Sequence, residues 1–293
     1  MNRSFVDHLQ FLPMPSRDGV RQPDGDHRPG GLGLRTLADL LGPLGWTARH
    51  EDFGFEKPVA EARTTEAYAR AIGDAVLSAW DRNRFPVVFS LVNACALGVV
   101  DGFGPRIGVL WLSPRADYAT KGFFRRPKLD RTTLAMMTGR QQRDSMAAKP
   151  CKLSGRNVIV VGGQRLDAGQ SRALDDDGIR VIGPGTLSGL TVAVADTDVD
   201  GWYVHIDTTV LEPEGVPAAD ETVEDALAPS EVVAAIENAV GDQPIRCLGL
   251  TRYDLNRDVG GVTAQTLADL LDRTIVLAGG QPDPQTRETA RAS

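Results

Sequence analysis

The sequence predicts an α/β protein in three layers, with helices on both faces of a mostly parallel central sheet. Two patterns carry this. Strand-length apolar runs alternate with helix-spaced stretches along most of the chain, the rhythm of βαβ units. The runs are also apolar at successive positions, as in FPVVF and VIVV, which suits strands covered on both sides. A third observation concerns function. Polar and charged residues cluster directly after these runs, where open parallel sheets gather ligands.

Taken in order, residues 36–44 have helical apolar spacing and stop near Gly45, and residues 46–50 form a candidate edge strand. Ala, Ile, Val and Leu recur at helical steps over 65–82, giving an amphipathic helix. Residues 85–91 are a buried strand, and 94–100 open the next helix. Core strands follow at 107–112 and 158–161, a short one at 179–182 and a longer one at 201–209. A helix at 230–240, a strand at 246–250 and a helix at 263–271 complete the pattern. The acidic, proline-bearing stretch 212–224 is a loop within the domain, because the strand–helix rhythm resumes after it. Residues 28–277 are expected to form a single domain, with a flexible arm at 1–27 and a disordered tail at 278–293.

A chain of 293 residues can bury a full core. Its net charge of -7 argues against a general nucleic-acid binder, since phosphate backbones demand basic surface. Cys95, Cys151 and Cys247 are too scattered for a disulfide framework or a structural zinc site, and they point to a reducing cytoplasm. No apolar run has the length of a membrane span, and the opening MNRSFVDHLQFLPM lacks a signal peptide's continuous apolar core. The glycine-rich RPGGLGLR and VGGQRL lack the context of a phosphate loop or a dinucleotide fingerprint and read as turns.

Five segments carry the chemistry: FPVVFSLVNACALG (85–98), IGVLWLSPRADYAT (107–120), VIVVGGQRLDAGQ (158–170), YVHIDTTVLEP (203–213) and LGLTRYDLN (248–256). Their order and spacing resemble the arginase/agmatinase family of ureohydrolases. The resemblance implies the three-layer ureohydrolase fold and a homo-oligomer, a trimer or hexamer. In that family the strand end matching Ser113 to Asp117 reads Asp-Ala-His-Ala-Asp and helps to hold two manganese ions. Here Asn93 stands at a metal-binding His, Ser113 and Arg115 replace an Asp and a His, and Asp117 is retained. Asp207 matches the metal-bridging Asp, and Thr209 replaces the next ligand. Asp130 falls at the family's proton-shuttling His, Asp167 at its substrate-binding Asp, and Asp254 at its guanidinium-binding Glu.

A dinuclear manganese site needs hard oxygen donors and imidazoles that together offset two dications. Asn93, Ser113 and Thr209 offer only neutral oxygens, and Arg115 sets a fixed cation where a metal needs an electron pair. Arg115 is expected instead to fork between Asp117 and Asp207. No metal and no cofactor are expected.

Alternation along a strand puts His205, Asp207 and Thr209 on one face. His205 reads as a general acid or base oriented by Asp207 or Asp254, or as a buried, hydrogen-bonded core histidine. Asp254 binds a cation, acts as a base, or partners Arg252. Asp167 holds a substrate amine or caps a loop. Asp130 shuttles a proton or forms a solvated pair with Arg131. The loop KGFFRRPKLDR (121–131) clamps an anion through groups such as Arg126, or is solvated. Cys95 reads as core.

Two functions follow. In the first, His205, Asp207, Asp254, Arg115 and Asp130 form a metal-free acid/base set. Asp167, Asn93, Ser113, Asp117, Thr209 and Arg126 then contact a small guanidino-, amidino- or amino-acid-like substrate undergoing hydrolysis, elimination or cyclisation. In the second, the chain is an inactive homologue that binds a ligand or a catalytic partner subunit as regulator or scaffold. The polar character of the replacements tilts the sequence reading toward the enzyme, because an idle core site fills more cheaply with apolar groups.

Overall fold

The computed structural model describes residues 5–6, 8–14, 31–50, 65–119, 131–141, 151–219 and 221–292. The strands are β1 (Phe5–Val6), β2 (His8–Met14), β3 (Thr47–His50), β4 (Phe85–Ser90), β5 (Ile107–Ser113), β6 (Val158–Gly162), β7 (Arg180–Ile182), β8 (Gly201–Asp207), β9 (Ile245–Thr251) and β10 (Gly280–Gln281). Eight of them form an all-parallel sheet in the order β3-β2-β4-β9-β8-β5-β6-β7, while β1 pairs with β10. The chain builds β2, β3 and β4 on one side, crosses to β5, β6 and β7, and returns with β8 and β9 to fill the gap. The carboxyl ends of β4, β9, β8 and β5 therefore lie side by side at the change of direction, the place where such sheets bind ligands.

The helices are α1 (Gly31–Leu41), α2 (Thr65–Asp81), α3 (Cys95–Phe103), α4 (Thr133–Met137), α5 (Ala168–Asp176), α6 (Leu190–Val194), α7 (Pro229–Val240), α8 (Val262–Leu277) and α9 (Pro284–Ala292). They flank the sheet, making the three-layer α/β arrangement expected. Every residue of β4, β5, β6 and β8 is buried, in keeping with their unbroken apolar runs. Phe85, Phe89, Trp111 and Trp202 are among the large side chains sealed in the core. Helices α2 and α3 meet backbone to backbone: a Cβ on Gly98 would lie 2.4 Å from the carbonyl oxygen of Ala69.

The structure differs from expectation at both ends. Strand β2 lies within the stretch read as a flexible arm, yet it sits between β3 and β4. Pro13 masks its strand character in the sequence. The pairing with β3 ends at Phe11, so Pro13 faces only Phe89 of β4 and its missing N–H costs no bond on the other side. The stretch read as a disordered tail contains α9, begun by Asp283, which accepts the Gln285 N–H at 3.2 Å. Arg287 of α9 donates to the Leu44 carbonyl at 2.6 Å and pairs with Asp272, which also accepts from the Trp46 indole at 2.7 Å. Among the described residues no helix is long and apolar enough to cross a membrane.

Candidate functional site

Four strand ends supply the site. Asn93 follows β4, Ser113 closes β5 with Arg115 and Asp117 just beyond, Asp207 closes β8, and Thr251 closes β9 with Arg252 next. Asn93, Ser113, His205, Asp207, Thr209 and Thr251 are fully buried, and Asp117 nearly so. Polar groups at this depth need partners, and the network among them is dense.

Asp207 is its hub. Its Oδ2 accepts from the Ser113 hydroxyl at 3.0 Å and the Asn93 amide at 3.3 Å, with Arg252 Nε 3.2 Å away as an ion pair. Its Oδ1 accepts from the Thr209 N–H at 3.0 Å and the Thr209 hydroxyl at 2.6 Å. A carboxylate has about four lone-pair sites, so the four hydrogen bonds from Ser113, Asn93 and Thr209 fill it. Thr209 reaches Oδ1 because the strand ends at Asp207 and the chain turns through a 3-10 segment, Thr208–Val210. Expectation ran β8 on to Thr209 along one strand face; the cap on Asp207 ends it two residues sooner.

Asn93 links the carboxylates to His205. Its Nδ2 donates to Asp117 at 2.9 Å and to Asp207, so its Oδ1 is the acceptor, taking the Thr251 hydroxyl at 2.7 Å and His205 Nε2 at 3.3 Å. His205 Nε2 therefore carries the proton, and Nδ1 accepts from the Tyr203 hydroxyl at 2.8 Å. Burial, with the field of Arg252 added, lowers the His205 pKa to about 3, so the ring is neutral. This geometry is that of a buried, hydrogen-bonded histidine. Burial likewise raises the Tyr203 phenol and the Cys247 thiol well above their ordinary values. Cys95 is also buried, as expected of core.

Arg115 does not fork between Asp117 and Asp207. Its guanidinium forms a close ion pair with Glu221, while its backbone N–H donates to Ser113 Oγ at 3.2 Å and its carbonyl accepts from the Trp111 indole at 2.9 Å. The cation beside Asp207 is Arg252. Burial pushes the Glu221 carboxyl up, but the Arg115 hydrogen bond and the fields of Arg115, Arg252 and Arg165 hold it below its ordinary range. Sequence reading passed over both Glu221 and this role of Arg252. The acidity of the 212–224 loop was the available signal for Glu221, and no spacing rule indicates which strand end that loop crosses.

Two further candidates hold local turns. Asp167 is exposed and caps α5, accepting the Gly169 and Gln170 N–H groups at 2.8 Å in a reciprocal capping box. Asp254 holds the turn Leu255–Arg257, accepting both the backbone and side-chain N–H of Asn256 at 3.0 Å. Asp130, Arg126 and the rest of the 121–130 loop lie outside the described residues. Among the described residues, no group of three or more His, Cys, Asp or Glu side chains is arranged to hold a metal ion.

An all-parallel eight-stranded sheet with its polar cluster at the central strand ends defines an arginase-like three-layer α/β fold. The arginase of Bacillus subtilis superposes with a TM-score of 0.73 over 94% of this chain and 99% of that one, at 18% identity. In sequence, the chain is 25% identical to the arginase of Bacillus caldovelox over 222 residues, 70% of this chain and 72% of that protein. It is 33% identical to the N(omega)-hydroxy-L-arginine amidinohydrolase of Streptomyces lavendulae over 121 residues, which span 42% of that relative's length. No family model matches. These likenesses show an arginase-like fold, with sequence similarity to arginases at low identity.

Proposed function

We propose that this arginase-fold chain does not perform manganese-dependent ureohydrolysis, and that it acts as a ligand-binding, regulatory or scaffold subunit. The observation that carries the proposal is the saturation of Asp207. Both its oxygens are engaged by Ser113, Asn93, Thr209 and Arg252. A bridging metal ligand must turn free lone pairs to two cations. The donors around it do not fit that centre, since Asn93, Ser113 and Thr209 bring no charge and Arg252 brings a positive one.

The metal-free enzyme reading draws on the same polar residues but is less well supported. His205, its intended acid or base, is neutral, fully buried and hydrogen-bonded at both ring nitrogens. A general acid or base works best with a pKa near the operating pH and must reach the substrate. We extend the proposal to a trimer or hexamer of this chain, to a catalytic partner subunit and to a cytoplasmic location, each implied by the resemblance or the cysteine usage.

The test is manganese content after incubation and dialysis, paired with assays of urea release from arginine and N-hydroxyarginine. No retained manganese and no urea are expected. A full dinuclear complement together with turnover would overturn the proposal.

A further inference from the structure

We propose that Arg252 is the built-in counter-cation of the buried Asp207 carboxylate, supplying through a guanidinium the positive charge that this group requires. The proposal rests on the metal-free reading above. Asp207 is fully buried, and its neutral hydrogen-bond donors cannot cancel its charge. The Arg252 side chain is only 11% exposed, and its Nε lies 3.2 Å from Asp207 Oδ2. A guanidinium is the cation best suited to this depth, being weakly hydrated and always charged. Arg115, the other candidate on a neighbouring strand end, is committed to Glu221.

The backbone points the same way. Arg252 has φ +64°, a left-handed conformation that non-glycine residues rarely adopt, and its N–H is fixed to the Ser90 carbonyl at 3.0 Å. A non-glycine residue persists there when the surroundings compensate for the strain. The ion pair with Asp207 is the compensation that this site offers, and glycine, the easier residue for the turn, would forgo it.

The test compares Arg252→Lys with Arg252→Met, which are similar in length and differ in charge. Thermal melting is read in the full chain and again in an Asp207→Asn background. The Lys variant is expected to melt several degrees above the Met variant, the scale expected for a difference of about 1 kcal/mol or more. In the Asp207→Asn background the order is expected to disappear or reverse, because the charge then has no partner. A Met variant that fails to fold beside a folded Lys variant is the same supporting result. A Met variant as stable as the Lys variant, or an unchanged ranking in the Asp207→Asn background, overturns the proposal. Manganese content of the wild-type chain separates the two ideas. Retained manganese overturns the metal-free reading and this proposal with it, whereas a metal-free wild type with an inert comparison overturns only the role of Arg252.

Discussion

The imidazole of His205 lies flat against the indole of Trp111, ring centroids 3.8 Å apart and planes 6° from parallel. Register explains the contact, for Trp111 of β5 pairs directly with His205 of β8. Tyr203, two residues back on β8, closes one ring nitrogen, and Asn93 meets the other. The imidazole is fully buried.

That placement predicts a pH dependence. The folded-state pKa of His205 is about 3 against an ordinary 6.5, so below 6.5 the unfolded chain binds a proton that the folded chain refuses. The contribution is fully present above about 6.5 and is lost as pH falls toward 3. Urea midpoints across this range are expected to fall less steeply for His205→Gln than for wild type. Parallel profiles would remove His205 from the account.

Asn93 joins both carboxylates to His205 and Thr251, so Asn93→Leu leaves several buried groups unsatisfied. The expected loss is about 3 kcal/mol or more in equilibrium unfolding. A loss below about 1 kcal/mol would mean that these bonds do not organise the site.

Asp167 separates a cap from a substrate ligand. Asp167→Ala is expected to cost about 1 kcal/mol, and Asp167→Ser to recover most of it, since serine caps nearly as well. Equal losses for the two substitutions in urea unfolding would argue against capping.

Gly249 faces the Tyr203 ring, and a Cβ there would lie 2.2 Å from the phenol oxygen. Gly249→Ala must displace Tyr203, and with it the bond to His205 Nδ1. Overpacking of this kind is expected to destabilise by about 1–3 kcal/mol. A crystal structure of the variant with Tyr203 unmoved would contradict the mechanism.

Much of the architecture was legible in the residues. Continuous apolar runs marked β4, β5, β6, β8 and β9 because both faces of each are covered, and helical spacing marked α2, α7 and α8 because each buries one stripe. Strand β2 escaped because Pro13 is tolerated where only one neighbour pairs with it. Helix α5 is hard to see in the sequence because Asp167 to Gln170 also matches a substrate motif, yet Asp followed three residues later by Gln is a helix-start signal.

The alternation of strands and helices, the apolar core and the polar character of Asn93, Ser113, Arg115 and Thr209 are legible in the residue order. Which cation meets which carboxylate emerges only once the chain is folded. Arg115 lies two residues from Asp117 in the chain, yet it pairs with Glu221, while Asp207 pairs with Arg252 from a neighbouring strand. The reason is physical. Ion pairing depends on separation in space and on burial, and these follow from strand adjacency, from the left-handed turn at Arg252 and from the path of the loop bearing Glu221.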